Sequence, residues 1–441
     1  MRIHDLPHPS ALPGAPDLAP GASLLAPFEA HESQVRSYCR AFPTVFGRAK
    51  GALLFDADGR RYLDFFAGAG TLAFGHNPDF IKQRLLDYLQ ADGITHGLDL
   101  YTEAKAAFID SFVQRVLAPR ALDYRLQFTG PTGANAVEAA LKIARKTTGR
   151  HGIFAFSGAY HGLSLGSLAV TANRGKRAAA GTALHDATFV PFPDEHLGAE
   201  AVLAWIERLI VDTHSGVEKP AAVILETLQA EGGIKLAPTA WLRELHALLQ
   251  RHGVLLIVDD IQVGCHRSGP FFSFERAGIT PDIVVLSKAI SGYGLPMSLV
   301  LLRPQLDLWQ PGEHTGTFRG NQLAFVGGRA GLELAARLDL QAEVERKGRL
   351  CAQRLGERVA GLDPRLAVRG LGLIWGVDGA ALGDAFMTRV SARCFELGLV
   401  IETAGRRDTV LKLLPPLTIP DAELEEGLAI IEQAVQDSLR G

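Results

Sequence analysis

Cysteine is scarce: Cys39, Cys265, Cys351 and Cys394 are four in 441 residues, and no two of them form a C-x-x-C pair. That spacing argues against a disulfide framework or a structural zinc site, so no metal is expected. A reducing compartment follows, by default the cytoplasm. Neither charge is in excess. Lys+Arg of 45 against Asp+Glu of 48 leaves a net charge of −3, too small a field to draw nucleic acid or an anionic membrane. Long apolar runs are absent too, none approaching the ~18 residues of a bilayer span. The first 27 residues carry six prolines (7, 9, 13, 16, 20, 27) without a continuous apolar segment, which reads as a flexible arm over 1–30 rather than a secretion signal.

What is present is ordinary globular composition, 47 % hydrophobic and 21 % charged, in a chain too long for one core. Short apolar runs at Tyr124–Phe128, Gly152–Phe156, Ala221–Leu225, Val254–Asp259, Pro281–Leu286 and Leu299–Leu302 read as strands. Several are separated by helical spacing of ten or more residues, the βαβ pattern of an α/β fold with a mainly parallel sheet. Both ends of the chain read differently. Asp58-Gly59 marks a hairpin near the start, and strands at Leu371–Val377, Leu399–Glu402 and Val410–Leu413 mix with helices near the end, after a helical stretch running to about Gly361. The expected division is 31–80 and 331–441 as an α+β small lobe and 81–330 as a large lobe.

Two of the apolar runs end in charge. Val254–Asp259 closes on Asp259, and Pro281–Leu286 is followed by Ser287 and Lys288. Ligands of open α/β sheets sit at the carboxyl ends of strands. A lone lysine there would read as a side chain snorkelling to water. With Asp259 placed the same way 29 residues earlier, the pair suits Schiff-base chemistry with pyridoxal phosphate. A buried lysine amine condenses with the aldehyde, and an aspartate keeps the pyridine nitrogen protonated so that the ring accepts carbanion electrons.

Weaker signals surround that pair. Thr129-Gly-Pro-Thr-Gly-Ala-Asn135 feeds a helix and offers amides to a phosphate, although such turns are common between strand and helix. Tyr160 and His161 follow a strand and could lie on an aromatic cofactor or simply cap it. Glu226-Thr-Leu-Gln-Ala-Glu-Gly-Gly233 places two carboxylates, Glu226 and Glu231, before paired glycines, which suits a site loop. Gly68-Ala-Gly70 lacks the strand–helix setting of a dinucleotide fingerprint.

Together these pieces, over about 33–438, resemble class III (ω-type) aminotransferases of pyridoxal phosphate fold type I. The resemblance implies Lys288 as the Schiff-base lysine, Asp259 at the pyridine nitrogen and Gln262 near the ring hydroxyl. It further implies Thr132, Gly133 and Ala134 as the phosphate turn, Tyr160 and His161 as the ring-stacking segment, Glu226 in the cofactor site, and Thr317 as a phosphate ligand given by the other subunit. A homodimer or dimer of dimers with shared sites would follow. Ser37-Tyr-Cys-Arg-Ala-Phe-Pro43, Gly93-Ile-Thr-His96 and Gly316-Thr-Phe-Arg-Gly-Asn321 look like the diaminobutyrate–2-oxoglutarate subgroup. That likeness implies small amino-acid and keto-acid substrates. Sister activities on ornithine, 4-aminobutyrate or lysine, an aminomutase, and a non-catalytic cofactor-binding protein are the alternatives. Departures from the family are informative. Leu163 stands where several relatives place an arginine, Lys412 stands for another arginine, and Ala134 for a hydroxyl residue. Glu231, Arg319 and Lys412 are the candidate substrate contacts.

Overall fold

The computed structural model describes residues 23–193 and 197–440. The arm expected over 1–30 lies outside the described residues as far as position 22, and Ala26–His31 is a short helix. Strands β1 (Phe46–Lys50), β2 (Leu53–Asp56) and β3 (Arg61–Asp64) pair as antiparallel hairpins. The β2–β3 turn is the Asp58-Gly59 signal: Gly59 takes φ +84°, and Asp56 Oδ1 accepts from the amides of Asp58 and Arg60.

The central sheet draws first on β4 (Arg125–Phe128), β5 (Ile153–Phe156), β6 (Ala187–Val190) and β7 (Ala222–Leu225). A ribbon of β8 (Leu228–Gln229) and β9 (Lys235–Leu236) leads on to β10 (Leu255–Asp259), β11 (Ile283–Leu286) and β12 (Leu299–Leu302). Seven of these lie in the order β4-β12-β11-β10-β7-β5-β6. β12 is antiparallel to both neighbours and every other pairing is parallel. The expected α/β sheet is therefore present. Alternate residues supply its two faces. Ile257, Ile283 and Val285 pack on the helix Gly133–Thr148 through Ala136, Ala140 and Ile143, while Val258, Val284 and Leu286 join Phe108, Trp241 and Leu245. Burial on both faces is why these strands read as unbroken apolar runs.

The remaining strands are β13 (Ala367–Leu371), β14 (Ile374–Asp378), β15 (Leu399–Val400), β16 (Glu402–Ala404) and β17 (Val410–Leu413). Four form the antiparallel sheet β13-β14-β17-β16, and β15 runs parallel to β3, joining the two ends of the chain. One apolar cluster draws on Leu53, Phe65 and Ile81 from the first segment and on Val344, Leu399 and Ile431 from the last.

Two local expectations are corrected, and two elements are added. Leu371–Val377 is not one strand, because Gly372 turns the chain at φ +58° into the β13–β14 hairpin. A β-carbon there would sit 2.5 Å from the Arg267 carbonyl oxygen, so glycine is required. The helical stretch to Gly361 breaks at Asp339, whose φ is +44°, into Gln322–Arg337 and Leu340–Arg354. Strand β6 and the helix Ala199–Val211 were not anticipated between β5 and β7.

Candidate active site

Parallel pairing decides where the chemistry gathers. β10 and β11 are neighbours with Asp259 opposite Val285, so Asp259 and Lys288 leave the sheet at the same edge. A cavity of about 470 Å³ opens there. It is lined by Lys288, Asp259, Gln262, Thr132, Gly133, Ala134, Tyr160, His161, Glu226 and Glu231, which brings ten of the thirteen expected site residues into one space.

Lys288 begins a 3₁₀ turn with φ +52°, a left-handed geometry that costs a non-glycine residue of order 1–3 kcal/mol. The preceding Ser287 hydroxyl donates to the Met297 carbonyl at 2.8 Å and ties the turn down. Burial lowers the Lys288 amine from the ordinary lysine range, outweighing the Glu231 carboxylate, with Lys412 pushing the same way. The amine is therefore poised toward its neutral, nucleophilic form. Asp259 is 4 % exposed. Its Oδ2 lies 2.8 Å from His161 Nδ1, and its Oδ1 accepts from the Ile261 amide at 3.1 Å. The far ring nitrogen of His161 is buried without a partner among the described residues.

The phosphate-type turn is built at the amino end of the 16-residue helix Gly133–Thr148. Its first amides have no carbonyl of the preceding turn to bond, so an anion is favoured there. The Thr132 amide donates to Asn135 Oδ1 at 3.2 Å, and a β-carbon on Gly133 would meet Ile261 at 2.7 Å. Tyr160 carries the Lys176 ammonium 4.8 Å above its ring. Glu226 is held as an acceptor, Oε1 from the Tyr160 amide and Oε2 from the Ala230 amide, and burial raises its carboxyl to about 7. Gln262 Nε2 donates to the Ala69 carbonyl at 2.8 Å, within a run from Ala67 to Gly70 that is left-handed throughout. An amine, a carboxylate and an anion-binding helix end, around a space with an aromatic wall, suit a phosphorylated pyridine aldehyde. Among the described residues no cluster of metal-ligating side chains is present.

The three other expected residues fall elsewhere. Lys412, at the centre of β17, is fully buried beside the cavity, with its Nζ 2.5 Å from Glu231 Oε1. Burial raises the Glu231 carboxyl, but the charges of Lys412 and then Lys288 pull it down to about 2. Thr317 is exposed, and Arg319 lies 4.0 Å from Asp99, so neither lines the cavity of the single chain. Two residues were missed. Glu402, 7 % exposed, is the second carboxylate on Lys412, at 2.9 Å. Tyr38, its ring tilted against Phe66 at 5.0 Å, lines an adjoining outer cavity. Glu402 follows the apolar Leu399-Val-Ile401, the same signal that marks Asp259.

Comparison with known proteins follows the geometry. The family model described as aminotransferase class III matches residues 36–435. The diaminobutyrate–2-oxoglutarate transaminase of Streptomyces avermitilis is 53 % identical over 420 residues, covering 94 % of this chain and 98 % of that one. The protein of the same name from Vibrio cholerae is 50 % identical over 92 % of this chain and 99 % of its own. Among solved structures, the ornithine aminotransferase of Toxoplasma gondii superposes with a TM-score of 0.82 at 25 % identity, covering 94 % of both chains.

Proposed function

The chain belongs to the class III aminotransferases, and we propose that it moves the 4-amino group between L-2,4-diaminobutyrate and 2-oxoglutarate, with aspartate 4-semialdehyde and glutamate as the other pair. The observation that carries this reading is the Lys288 amine and the Asp259 carboxylate in one cavity, with the Lys412–Glu231 ion pair beside them. Relatives of the same name, at 50–53 % identity over nearly the full length, support the substrate pair.

The residues fit pyridoxal phosphate. Lys288 would hold the aldehyde carbon, Asp259 the ring nitrogen, Gln262 the ring hydroxyl, Tyr160 and His161 a ring face, and Thr132, Gly133 and Ala134 the phosphate, with Glu226 fixing the Tyr160 backbone. When bound, that cofactor supplies an aldehyde for covalent capture of the amine and a ring that takes up the electrons of the substrate carbanion. Lys288 would then carry a proton from C4 of diaminobutyrate, its buried amine giving up its proton more readily than an ordinary lysine. Asp259, braced by His161 and the Ile261 amide, would be held in place to accept from the ring nitrogen. Glu231 occupies one side of Lys412 while no substrate carboxylate claims it, and its release would open that side to the carboxylate of glutamate or 2-oxoglutarate.

Two copies are proposed to share their sites, with Thr317 reaching the phosphate of the neighbouring subunit and Arg319 available to a substrate carboxylate. The four free cysteines agree with work in the cytoplasm. A panel of amino donors with 2-oxoglutarate, read as glutamate formed, tests the assignment. Diaminobutyrate is expected to lead, and faster turnover of ornithine, 4-aminobutyrate or lysine would reassign the enzyme.

A further inference from the structure

We propose that Glu402 is the specificity residue for the 2-ammonium group of diaminobutyrate, a role that rests on the substrate pair assigned above. β16 and β17 run antiparallel with Glu402 directly opposite Lys412, so the two side chains share one face of the small-lobe sheet. Lys412 therefore serves two carboxyl groups, Glu231 at 2.5 Å and Glu402 at 2.9 Å, one more than a single ammonium can balance. The Glu231 contact is a hydrogen bond. Glu402 Oε1, also buried, shares the same ammonium as an ion pair, without a well-directed hydrogen bond among the described residues. With one ammonium shared between two carboxylates, Glu402 keeps acceptor capacity for a further donor, and a cationic donor suits it.

The location matches the distal end of a substrate reacting at Lys288. Glu402 lines an outer cavity of about 1210 Å³ together with Tyr38, Tyr160 and Glu231. Tyr160 and Glu231 also line the cavity of Lys288 and Asp259, so the two spaces adjoin at these side chains. Burial raises the Glu402 carboxyl, and Lys412 only partly offsets this. A second cation arriving at Glu402 relieves that tension. Diaminobutyrate brings one, because with its 4-amino group at Lys288 its C2 ammonium and carboxylate point outward. 4-Aminobutyrate has the same carbon chain, the same reacting amine and the same carboxylate, and lacks only the C2 ammonium. The difference between the two donors therefore isolates the contact.

The test is the ratio of kcat/KM for diaminobutyrate to that for 4-aminobutyrate, measured in the wild-type holoenzyme and in Glu402→Gln. Losing the charge on one face of a charge-assisted hydrogen bond is expected to lower kcat/KM for diaminobutyrate by about 30–100-fold, mainly through weaker binding. 4-Aminobutyrate is expected to change by less than about threefold, and the keto acid to bind as well as before or better, because Lys412 loses a competitor. Glu402→Asp keeps the charge but withdraws it by one methylene, and the ratio is expected to fall by about tenfold. Diaminobutyrate should also raise the melting temperature of wild type more than that of Glu402→Gln. Equal losses with both donors, or a ratio unchanged in both variants, overturns the role of Glu402 and leaves the proposed function standing. A wild type that does not favour diaminobutyrate over 4-aminobutyrate overturns both.

Discussion

Lys412 is a fully buried lysine in the middle of a strand, a position tolerated only because two carboxylates meet it. Truncation to Lys412→Met would leave Glu231 and Glu402 buried without a cation, at a cost of about 3–5 kcal/mol near neutral pH. The pH dependence has a definite sign. In the wild type the Glu231 carboxyl lies at about 2 against an ordinary 4.5. A depressed carboxyl contributes stability that is complete above the ordinary value and lost as pH falls towards 2. In the variant the cation is gone, burial lifts both carboxyls, and protonation removes the unpaired charge. The deficit relative to wild type should therefore be greatest at about pH 8 and shrink at about pH 5, read as urea midpoints of the two holoenzymes. A deficit independent of pH would mean that packing, not charge, is what the lysine supplies.

At the scale of elements, two of the strand–loop junctions that line the Lys288 cavity meet at one glycine. Gly162 takes φ +123°, and a β-carbon there would lie 2.7 Å from Ser167 Oγ and 2.9 Å from Ala134 Cβ. The loop bearing Tyr160 and His161 thus touches the phosphate-type turn through this residue. Gly162→Ala forces the two apart, and a shift of that kind costs about 1–3 kcal/mol. The expected result is a loss of pyridoxal phosphate affinity of about tenfold or more, measured by equilibrium titration of the apo-protein, with the far-ultraviolet circular dichroism unchanged. Unchanged affinity would detach the Tyr160 loop from the phosphate turn.

This arrangement also shows what a sequence discloses. Asp259 and Lys288 were legible because each follows an apolar run that declares both a buried strand and its end. Thr132 to Ala134 were legible because a glycine-rich turn before a helix is a local pattern. Glu402 carries the same signal after Ile401, yet its partner Lys412 stands in another strand and only the β16–β17 register pairs them. β6 escaped notice because, at the sheet edge, three of its four residues are only partly buried and its apolar pattern is short. The β13–β14 hairpin was hidden because its two-residue turn, Gly372-Leu373, is set among apolar residues, with no Asn-Gly or Asp-Gly to mark it.

At the scale of the whole molecule, the surface near Thr317 asks for a second copy of the chain. Ile94, Leu98, Leu100, Tyr101 and Phe318 are exposed together, with His96 5.4 Å from the Phe318 ring and Arg319 4.0 Å from Asp99 joining the two segments. Clustered exposed apolar side chains of this kind mark an interaction surface. A closed two-fold dimer would bury them and carry Thr317 of each subunit toward the other's cavity. Complementation decides whether the sites are shared. Lys288→Ala lacks the lysine, and Thr317→Glu sets a carboxylate against a bound phosphate, so each homodimer is expected to be nearly inactive. Unfolding and refolding the two in equal amounts makes about half of the dimers mixed. In a mixed dimer one site collects both lesions and the other receives wild-type Lys288 and Thr317. Activity should return to about a quarter of the wild-type level per subunit. If Thr317 instead served its own chain, each subunit in the mixture would keep a lesion of its own, and no activity would return.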